Sequence, residues 1–274
     1  MSVFLHRMGI LSRNLIPEFI PTSLSGCALW LDAADANTLY DTTSGGSLVA
    51  ANGAVARWED KSGNGRHVTQ DTSGSRSQRK VSVQNGRDVL RFDGDGDFLQ
   101  GFHQLVSGNP AVTVFVVLKY VTITDNRAHR VLQFGASGGG SRNVIGVAID
   151  AGYKSSFRFN GGAQVFSETT GGFHLARFSR AASDTIADGV LVLDGGGAQA
   201  IDSVNNGSET INLPSSGSEL LIGTGRGSSG AIDGFADSDI AEIIVYNRAL
   251  DATERRQVEE YLQAKWATPA LPEI

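Results

Sequence analysis

The sequence of 274 residues has little cysteine, little proline and no long apolar or basic run. Its single cysteine, Cys27, excludes a disulfide within the chain. It lacks the roughly 20 consecutive apolar residues that a helix needs to span a bilayer, so no membrane span is predicted. The net charge is −6 and SRSQRK (75–80) is only a local basic patch, so a nucleic-acid partner is not predicted.

The first 23 residues differ in character from the rest of the chain. Their apolar residues are interrupted by polar ones such as Arg7 and Arg13, without a cleavage site, so no secretory signal is predicted. About half of them are apolar, which is too many for a disordered tail. We interpret residues 1–23 as an anchoring arm that either folds back on its own domain or docks on another subunit.

The chain from Ala28 onward has the composition of a β protein. Glycine is abundant, at 34 residues, and suits the corners between many short strands. Apolar runs rich in β-branched and aromatic residues alternate with clusters of Gly, Asp, Asn and Ser, as in a sandwich or barrel. The runs are CALWLDA, AVTVFVVLKY, RVLQFG, NVIGVAID, SFRFN, FHLARFS, GVLVLD and IAEIIVYN. The nearly continuous apolar run 111–120 predicts a central strand that is covered on both faces.

One helix is predicted after the last strand, over residues 251–266. Asp251 and Glu254 have the spacing of a capping box. The residues Val258, Tyr261, Leu262 and Trp266 recur at helical spacing and predict an apolar face that packs on the sandwich.

Four stretches resemble LamG-like, concanavalin A-like lectin-glucanase jelly-roll modules of bacterial and phage proteins. They are ALWLDAADANT (28–38), VARWEDKSGNGRHVTQ (55–70), VLRFDGDGDFL (89–99) and DIAEIIVYNRALDATERRQVEEYLQAKW (239–266). The resemblance implies an all-β, two-sheet antiparallel jelly-roll sandwich with one C-terminal helix, and a structural calcium ion in many members. We expect a domain over residues 24–274 that follows the arm. Within it, WEDKSGNGRHVTQ (58–70) is interpreted as a corner between strands, with a ligand site as the alternative.

The run Asp93-Gly-Asp95-Gly-Asp97 is the candidate metal site. Three carboxylates at alternate positions offer the hard oxygen ligands that Ca²⁺ prefers, and Ca²⁺ is the one cofactor that the sequence suggests. The spacing is not that of an EF-hand. The alternative is a hairpin between VLRF and FLQ whose glycines relieve the turn.

The sequence contains only weak matches to known catalytic motifs. The segment Asp237-Ser-Asp239-Ile-Ala-Glu242 loosely follows the E-x-D-x-x-E pattern of concanavalin A-like glycoside hydrolases, but its first residue is one methylene too short. No histidine has metal-ligand or triad spacing to another residue. Mid-chain phenylalanines (157, 159, 166, 173 and 178) form either core or a sugar platform, and the neighbouring Arg158 and Arg177 could bind acidic glycans.

These observations predict a protein that is not an enzyme. The main hypothesis is a phage virion component (a decoration, fibre or tail protein) that residues 1–23 attach to other virion or surface-assembly subunits. The alternative is a glycan-binding module of a bacterial cell-surface protein, at the cell surface or secreted. A degenerate glycoside hydrolase is the third interpretation. The sequence leaves the ligand-binding residues unknown and is compatible with a homo-oligomer.

Overall fold

The computed structural model describes most of the chain, and its regular structure is almost entirely β. It covers residues 19–120, 129–136, 144–150, 154–159, 162–168, 171–204, 207–227 and 229–271. The strands of these residues are β1 (Cys27–Asp32), β2 (Leu39–Tyr40), β3 (Arg57–Trp58), β4 (Val68–Thr69), β5 (Gln78–Gln84), β6 (Arg87–Asp93), β7 (Leu99–Gly101), β8 (Val112–Tyr120), β9 (His129–Ala136), β10 (Val144–Asp150), β11 (Lys154–Phe159), β12 (Gly162–Glu168), β13 (His174–Arg180), β14 (Val190–Leu193), β15 (Ile201–Val204), β16 (Ser218–Ile222), β17 (Gly225–Arg226), β18 (Ile232–Asp233) and β19 (Asp237–Tyr246). The α-helix α1 (Ala252–Trp266) follows, and short 3₁₀ helices occupy Pro21–Ser23, Ala36–Thr38, Ser73–Ser75 and Ile186–Asp188.

Two large antiparallel sheets form a sandwich. The seven-stranded sheet has the order β14-β13-β8-β19-β6-β5, with β1 paired to β19. The ten-stranded sheet has the order β15-β12-β11-β10-β9-β16-β7-β4-β3-β2. This architecture, with one C-terminal helix, confirms the predicted fold class.

The core between the sheets explains the long apolar run of β8. Alternate side chains of a strand point to opposite faces of its sheet. Val114 and Val116 belong to the core between the sheets, whereas Phe115 and Val117 belong to a second apolar cluster on the outer face of the seven-stranded sheet. The prediction of a central strand that is covered on both faces is therefore confirmed.

Helix α1 covers that second cluster. Asp251 caps the helix, accepting a hydrogen bond from the backbone N–H of Glu254, and the Glu254 side chain completes the capping box. Val258, Leu262 and Trp266 are buried against the sheet, as their spacing predicts, and Tyr261 packs partly buried beside them. The helix thus occupies the outer face of the seven-stranded sheet.

The β5–β6 hairpin binds the C-terminal end of the helix. Gln84 Nε2 donates to the carbonyl of Trp266, and both Asn85 Nδ2 and Arg87 Nε donate to the carbonyl of Lys265. The last carbonyls of a helix lack partners within the helix, so these bonds supply the missing donors. They fix the helix end against the sheet.

The segment 58–70 is a structural corner, as interpreted from the sequence. Trp58 is buried in the core between the sheets. Both carboxylate oxygens of Asp60 accept hydrogen bonds, from the backbone N–H groups of Trp30, Ser62 and Arg66 and from the Ser62 hydroxyl. The carboxylate is therefore occupied in holding the turn.

The predicted arm lies mostly outside the described residues, which begin at Phe19. The Phe19 ring packs on the Tyr261 ring with centroids 5.8 Å apart. Pro21 is buried, and its carbonyl accepts a hydrogen bond of 2.9 Å from the Tyr246 hydroxyl. Residues 19–23 thus contact their own domain, on the side of helix α1. None of the helices in the described part of the chain is long and apolar enough to cross a bilayer.

Candidate functional site

Of the three candidate calcium ligands, Asp93 is the last residue of β6, and Asp95 and Asp97 lie in the loop that follows. The backbone N–H of Asp95 donates to Asp93 Oδ1 at 2.9 Å, which is a local turn contact. Asp97 is buried, and burial, with the Asp93 charge, raises its pKa to about 7. No group of three or more acidic, histidine or cysteine side chains among the described residues has an arrangement that could hold a metal ion. Calcium binding stays a prediction.

The alternative interpretation of this loop, a hairpin, is wrong. Strand β6 belongs to the seven-stranded sheet, whereas β7 belongs to the ten-stranded sheet, so the loop crosses between layers. Gly94 and Gly96 have φ of +76° and +122°, in the region that favours glycine. A β-carbon on Gly94 would also lie 2.9 Å from Asp237 Cβ. The two glycines therefore allow the backbone conformation and the close approach to Asp237 that the crossover between the sheets requires.

Asp239 and Glu242, two acidic residues of the weak hydrolase motif, contact different parts of the protein. Asp239 accepts two hydrogen bonds from Arg91, at 2.6 and 2.7 Å, from the neighbouring strand β6. A bulge between Ile240 and Glu242 shifts the register, and Glu242 accepts hydrogen bonds from Tyr261 and Trp266 of helix α1. Asp239 and Glu242 are therefore held by different partners.

Glu242 is instead the centre of a buried network. Its carboxylate accepts hydrogen bonds from Trp30 Nε1 and Trp266 Nε1 at 2.7 Å and from the Tyr261 hydroxyl at 2.9 Å, and Lys265 Nζ lies 2.7 Å away. Burial and the charge of Asp32 raise the pKa of Glu242, whereas Lys265 opposes the shift.

Asp32 lies beside Glu242 and was not anticipated as a functional residue. The two are paired in register across β1 and β19, and Lys265 Nζ lies 2.7 Å from Asp32 Oδ1. Lys61 Nζ lies 2.9 Å from both Asp32 and Asp35. Burial alone would lower the pKa of Lys61, but these two carboxylates raise it.

A cavity of about 430 Å³ opens next to this network, and we call it the helix cavity. It is lined by Phe19, Ile20, Trp30, Asp32, Lys61, Arg87, Tyr261, Ala264 and Lys265. Its ammonium groups are paired with carboxylates, and Lys61 also lies 4.4 Å from the centre of the Trp30 ring. A ligand here would compete with contacts that the protein already makes.

A second depression, of about 350 Å³, lies on the outer face of the ten-stranded sheet, and we call it the sheet groove. It is lined by His67, Thr69, Gln70, Asp71, Phe98, Gln100, Gly101, Phe102 and His103. Leu99 packs in the core between the sheets, so the alternation of strand β7 turns Gln100 to the outer face.

Phe102 is the most exposed large apolar side chain of the described residues. Its exposed fraction is 67%, whereas the other large exposed apolar side chains reach at most 48%. An exposed aromatic ring beside a polar depression is more informative than scattered surface apolar residues, because it costs free energy in water unless something covers it.

Polar groups with unused hydrogen-bonding capacity line the groove. His67 Nδ1 accepts a bond of 3.0 Å from the backbone N–H of Asp60, so the neutral ring carries its proton on Nε2. Within the described residues, that Nε2–H, the carboxylate of Asp71 and Gln100 Oε1 have no partner. These groups supply one donor and several acceptors beside the Phe102 ring.

Glu219, which forms an ion pair with Arg226, fixes the orientation of the Gln100 side-chain amide. Gln100 Nε2 donates to Glu219 Oε1 at 2.7 Å. Glu219 also binds Arg226 through Nε and Nη2, at 2.5 and 2.7 Å. The amide nitrogen is held by the carboxylate, so the oxygen is the atom that remains for a ligand.

The other sequence candidates do not join the groove. Phe178 lies in the core between the sheets and Phe173 in the cluster beneath helix α1. Arg177 Nε lies 2.7 Å from Glu259 Oε1 of the helix, so it is paired rather than open to an acidic glycan. The side chains of residues 157, 158, 159 and 166 lie outside the described part. Sequence reasoning did not predict the groove as a whole, although three of its residues lie in 58–70, for which a ligand site was the alternative interpretation. A further signal is the mixture of aromatic and polar residues in FLQGFHQ (98–104).

Comparison with known proteins identifies relatives by fold alone. No family model and no curated protein matches the sequence. A mutant of a GH54 α-L-arabinofuranosidase, soaked with 4-nitrophenyl α-L-arabinofuranoside, matches with a TM-score of 0.59 and 14% identity, over 88% of this chain and 63% of that chain. An arabinofuranosidase complexed with arabinofuranosyl-α-1,2-xylobiose gives 0.57 and 15%, over 88% and 63%. Trypanosoma rangeli sialidase in complex with sialic acid gives 0.52 and 17%, over 90% of this chain and 34% of the sialidase.

These comparisons correct two predictions made from the sequence. The solved structures compared above are all glycoside hydrolases, and this finding contradicts the hypothesis of a phage virion component. The same finding contradicts the prediction that the protein is not an enzyme, and it agrees better with the third interpretation, a degenerate glycoside hydrolase. The low identities and the partial coverage of those enzymes limit the likeness to the β-sandwich itself.

Proposed function

We propose that the chain binds carbohydrate in the sheet groove, on a sandwich of the glycoside hydrolase type. The observation that carries the proposal is the exposed ring of Phe102 beside free polar groups. The C–H face of a sugar ring can stack on an aromatic ring, while hydroxyl groups both donate and accept hydrogen bonds. Gln100 Oε1 and Nε2–H of His67 match those two roles.

The fold neighbours support the same class of ligand. One arabinofuranosidase was soaked with 4-nitrophenyl α-L-arabinofuranoside, another is complexed with arabinofuranosyl-α-1,2-xylobiose, and the sialidase is in complex with sialic acid. The groove volume of about 350 Å³ also lies within the range of roughly 300–1,000 Å³ that is typical of small-molecule sites.

A matched pair of variants tests the proposal. Wild type, Phe102→Ala and Val83→Ala are applied to a panel of immobilised oligosaccharides, and hits are quantified by calorimetry. Val83 is a suitable control because it is exposed but lies on β5 of the other sheet. We expect Phe102→Ala to weaken binding by about tenfold or more, and Val83→Ala to have no effect. Absence of any bound glycan, or equal binding by Phe102→Ala, would refute the proposal.

The resemblance to LamG-like modules is supported by the network beneath helix α1, because residues from three of the resembling stretches contact one another there. Trp30 and Asp32 come from the first, Lys61 from the second, and Glu242 and Lys265 from the last. The structure joins all five in the network beneath helix α1. We propose that this network is the structural signature that the resembling sequences encode.

Glycoside hydrolysis at the helix cavity is the second candidate function. Neighbouring carboxyl groups with different environments are the pattern of acid and base in glycosidases. Asp32 lines the cavity, and Glu242 beside it has a raised pKa. Release of sugar from chromogenic arabinofuranosides or sialosides, lost in both Asp32→Asn and Glu242→Gln when these variants stay folded, would support it. Absence of release by the folded wild type would refute it for those substrates.

A further inference from the structure

We propose that the sheet groove selects neutral sugars and rejects acidic ones, an inference that rests on the proposed carbohydrate-binding function. Its basis is the distribution of charge in and around the groove. The fold neighbours leave the matter open, because one was solved with a neutral arabinofuranoside and another with the acidic sugar sialic acid.

The lining of the groove contains an unpaired negative charge and no cation of lysine or arginine. Asp71 is exposed, and its carboxylate forms neither an ion pair nor a hydrogen bond within the described residues. A carboxylate on a bound sugar would meet this like charge, whereas its recognition in proteins relies on arginine or lysine.

Arginines do flank the groove, but each is engaged elsewhere. Arg226 binds both oxygens of Glu219. Arg57 lies 3.1 Å from Glu59 and 4.0 Å from the centre of the Tyr40 ring.

Arg76 is the arginine in direct contact with residue 71. Its Nη2 donates to the backbone carbonyl of Asp71 rather than to the carboxylate, and Nε and Nη1 donate to the carbonyls of Gln70 and Asp41. The Arg76 side chain lines a separate depression next to Asp93 and Asp97. None of the three arginines is therefore placed to bind a sugar carboxylate in the groove.

The free hydrogen-bonding groups fit hydroxyls better than they fit a carboxylate. An ionised carboxylate only accepts hydrogen bonds, so it could use Nε2–H of His67 but not Gln100 Oε1 or Asp71. A pair of adjacent hydroxyls can donate to the two oxygens of Asp71 and still accept from His67. The groove thus offers more contacts to a neutral polyol.

The test compares a neutral sugar with its charged counterpart. The neutral ligand is the panel sugar that wild type binds best, and the acidic ligand is the uronic acid with the same ring configuration. Both are titrated calorimetrically at pH 7.5 into wild type, Asp71→Asn and Glu260→Gln. Glu260 is the matched control, since it is an exposed carboxylate on helix α1 and its replacement changes the net charge equally.

We expect wild type and Glu260→Gln to prefer the neutral sugar by about tenfold or more, and Asp71→Asn to reduce this preference to about threefold or less. The preference of wild type should also shrink when salt is raised, because solvent-exposed charges are screened. Equal or tighter binding of the uronic acid that still depends on Phe102 would overturn the selectivity while leaving the carbohydrate proposal intact. Failure to bind any sugar would refute the proposed function itself.

Discussion

The outer faces of the two sheets are built in opposite ways. On the seven-stranded sheet, helix α1 covers the face, and the carboxylates of Asp32 and Glu242 are paired with lysines and buried. On the ten-stranded sheet, the face is open at the groove, Phe102 is exposed and the carboxylate of Asp71 has no partner in the described chain. The first face uses its polar groups for stability, whereas the second leaves them available for a ligand. Substitutions on the two faces test this division, and we give them in order of decreasing effect on stability.

Glu242→Ala should cause the largest loss of stability. It removes the acceptor of Trp30 Nε1, Trp266 Nε1 and the Tyr261 hydroxyl, and one partner of Lys265. Breaking a buried charged pair costs about 3–5 kcal/mol, which urea denaturation would measure. A loss below about 1 kcal/mol would show that the Glu242 network does not stabilise the packing of helix α1 on the seven-stranded sheet.

The control for that prediction is Glu260→Ala on the same helix. Glu260 pairs with Arg256 at 2.8 Å, but its side chain is exposed. Surface pairs of this kind contribute about 0.5 kcal/mol or less.

Asp97→Asn should stabilise the protein near neutral pH. The pKa of Asp97 is about 7, above its ordinary value, so the folded state retains a proton that the unfolded state has lost. This group's contribution to stability therefore falls as pH rises from about 4 to 7, and it is constant above that range. We expect a change of roughly 2 kcal/mol, about half of what ~1.4 kcal/mol per pKa unit implies, because the asparagine amide also loses hydration on burial and the Asp93 charge is exposed and screened.

The measurement is the free energy of unfolding between pH 4 and pH 8 for both proteins. A parallel pH dependence in wild type and Asp97→Asn would contradict the prediction. Adding millimolar Ca²⁺ at pH 7.5 tests the calcium prediction in the same assay. A calcium-dependent stabilisation of wild type that Asp97→Asn lacks would support a site at residues 93, 95 and 97, and no stabilisation would refute it.

Asp251→Ala should cost about 1 kcal/mol. The carboxylate accepts from the backbone N–H of Glu254 at 2.9 Å and is the N-terminal cap of helix α1. Caps of this kind contribute roughly 0.5–2 kcal/mol. Because the helix covers the face that carries the network, thermal unfolding should shift to lower temperature, while glycan binding at the opposite face should be unchanged. Loss of glycan binding in the folded variant would contradict the division between the faces.

Phe102→Ala should have the smallest effect on stability. The ring is 67% exposed and leaves no large cavity when it is removed. Substitutions at such positions change stability by about 0.5 kcal/mol or less. A loss of several kcal/mol in urea denaturation would show that Phe102 belongs to the core, and its role in binding could then not be separated from folding.

Much of the fold could be predicted from the sequence because burial on a strand leaves a local pattern. The run from Val112 to Leu118 is apolar at nearly every position, and an apolar run of this length and β-branched content is typical of a strand covered on both faces. The capping box of Asp251 and Glu254 is equally local. The hairpin interpretation of residues 93–97 failed, because glycines that permit a turn do not say which sheet the next strand joins.

The sites were harder to predict because their residues are distant in sequence. Asp32 and Glu242 are brought together by the pairing of β1 with β19, and Gln100 and Glu219 by the pairing of β7 with β16. The bulge after Ile240 also changes the direction of Glu242, so motif spacing alone gives a misleading geometry. Register and bulges depend on the complete sheet, which a short motif does not contain.

A crystal structure of the protein with the panel oligosaccharide that binds most tightly would show whether the sheet groove is the carbohydrate site. We expect a sugar ring stacked on Phe102, with hydroxyl groups within hydrogen-bonding distance of Gln100 Oε1 and the Asp71 carboxylate. An oligosaccharide seated in the helix cavity between Trp30 and Tyr261, with the sheet groove empty, would contradict it.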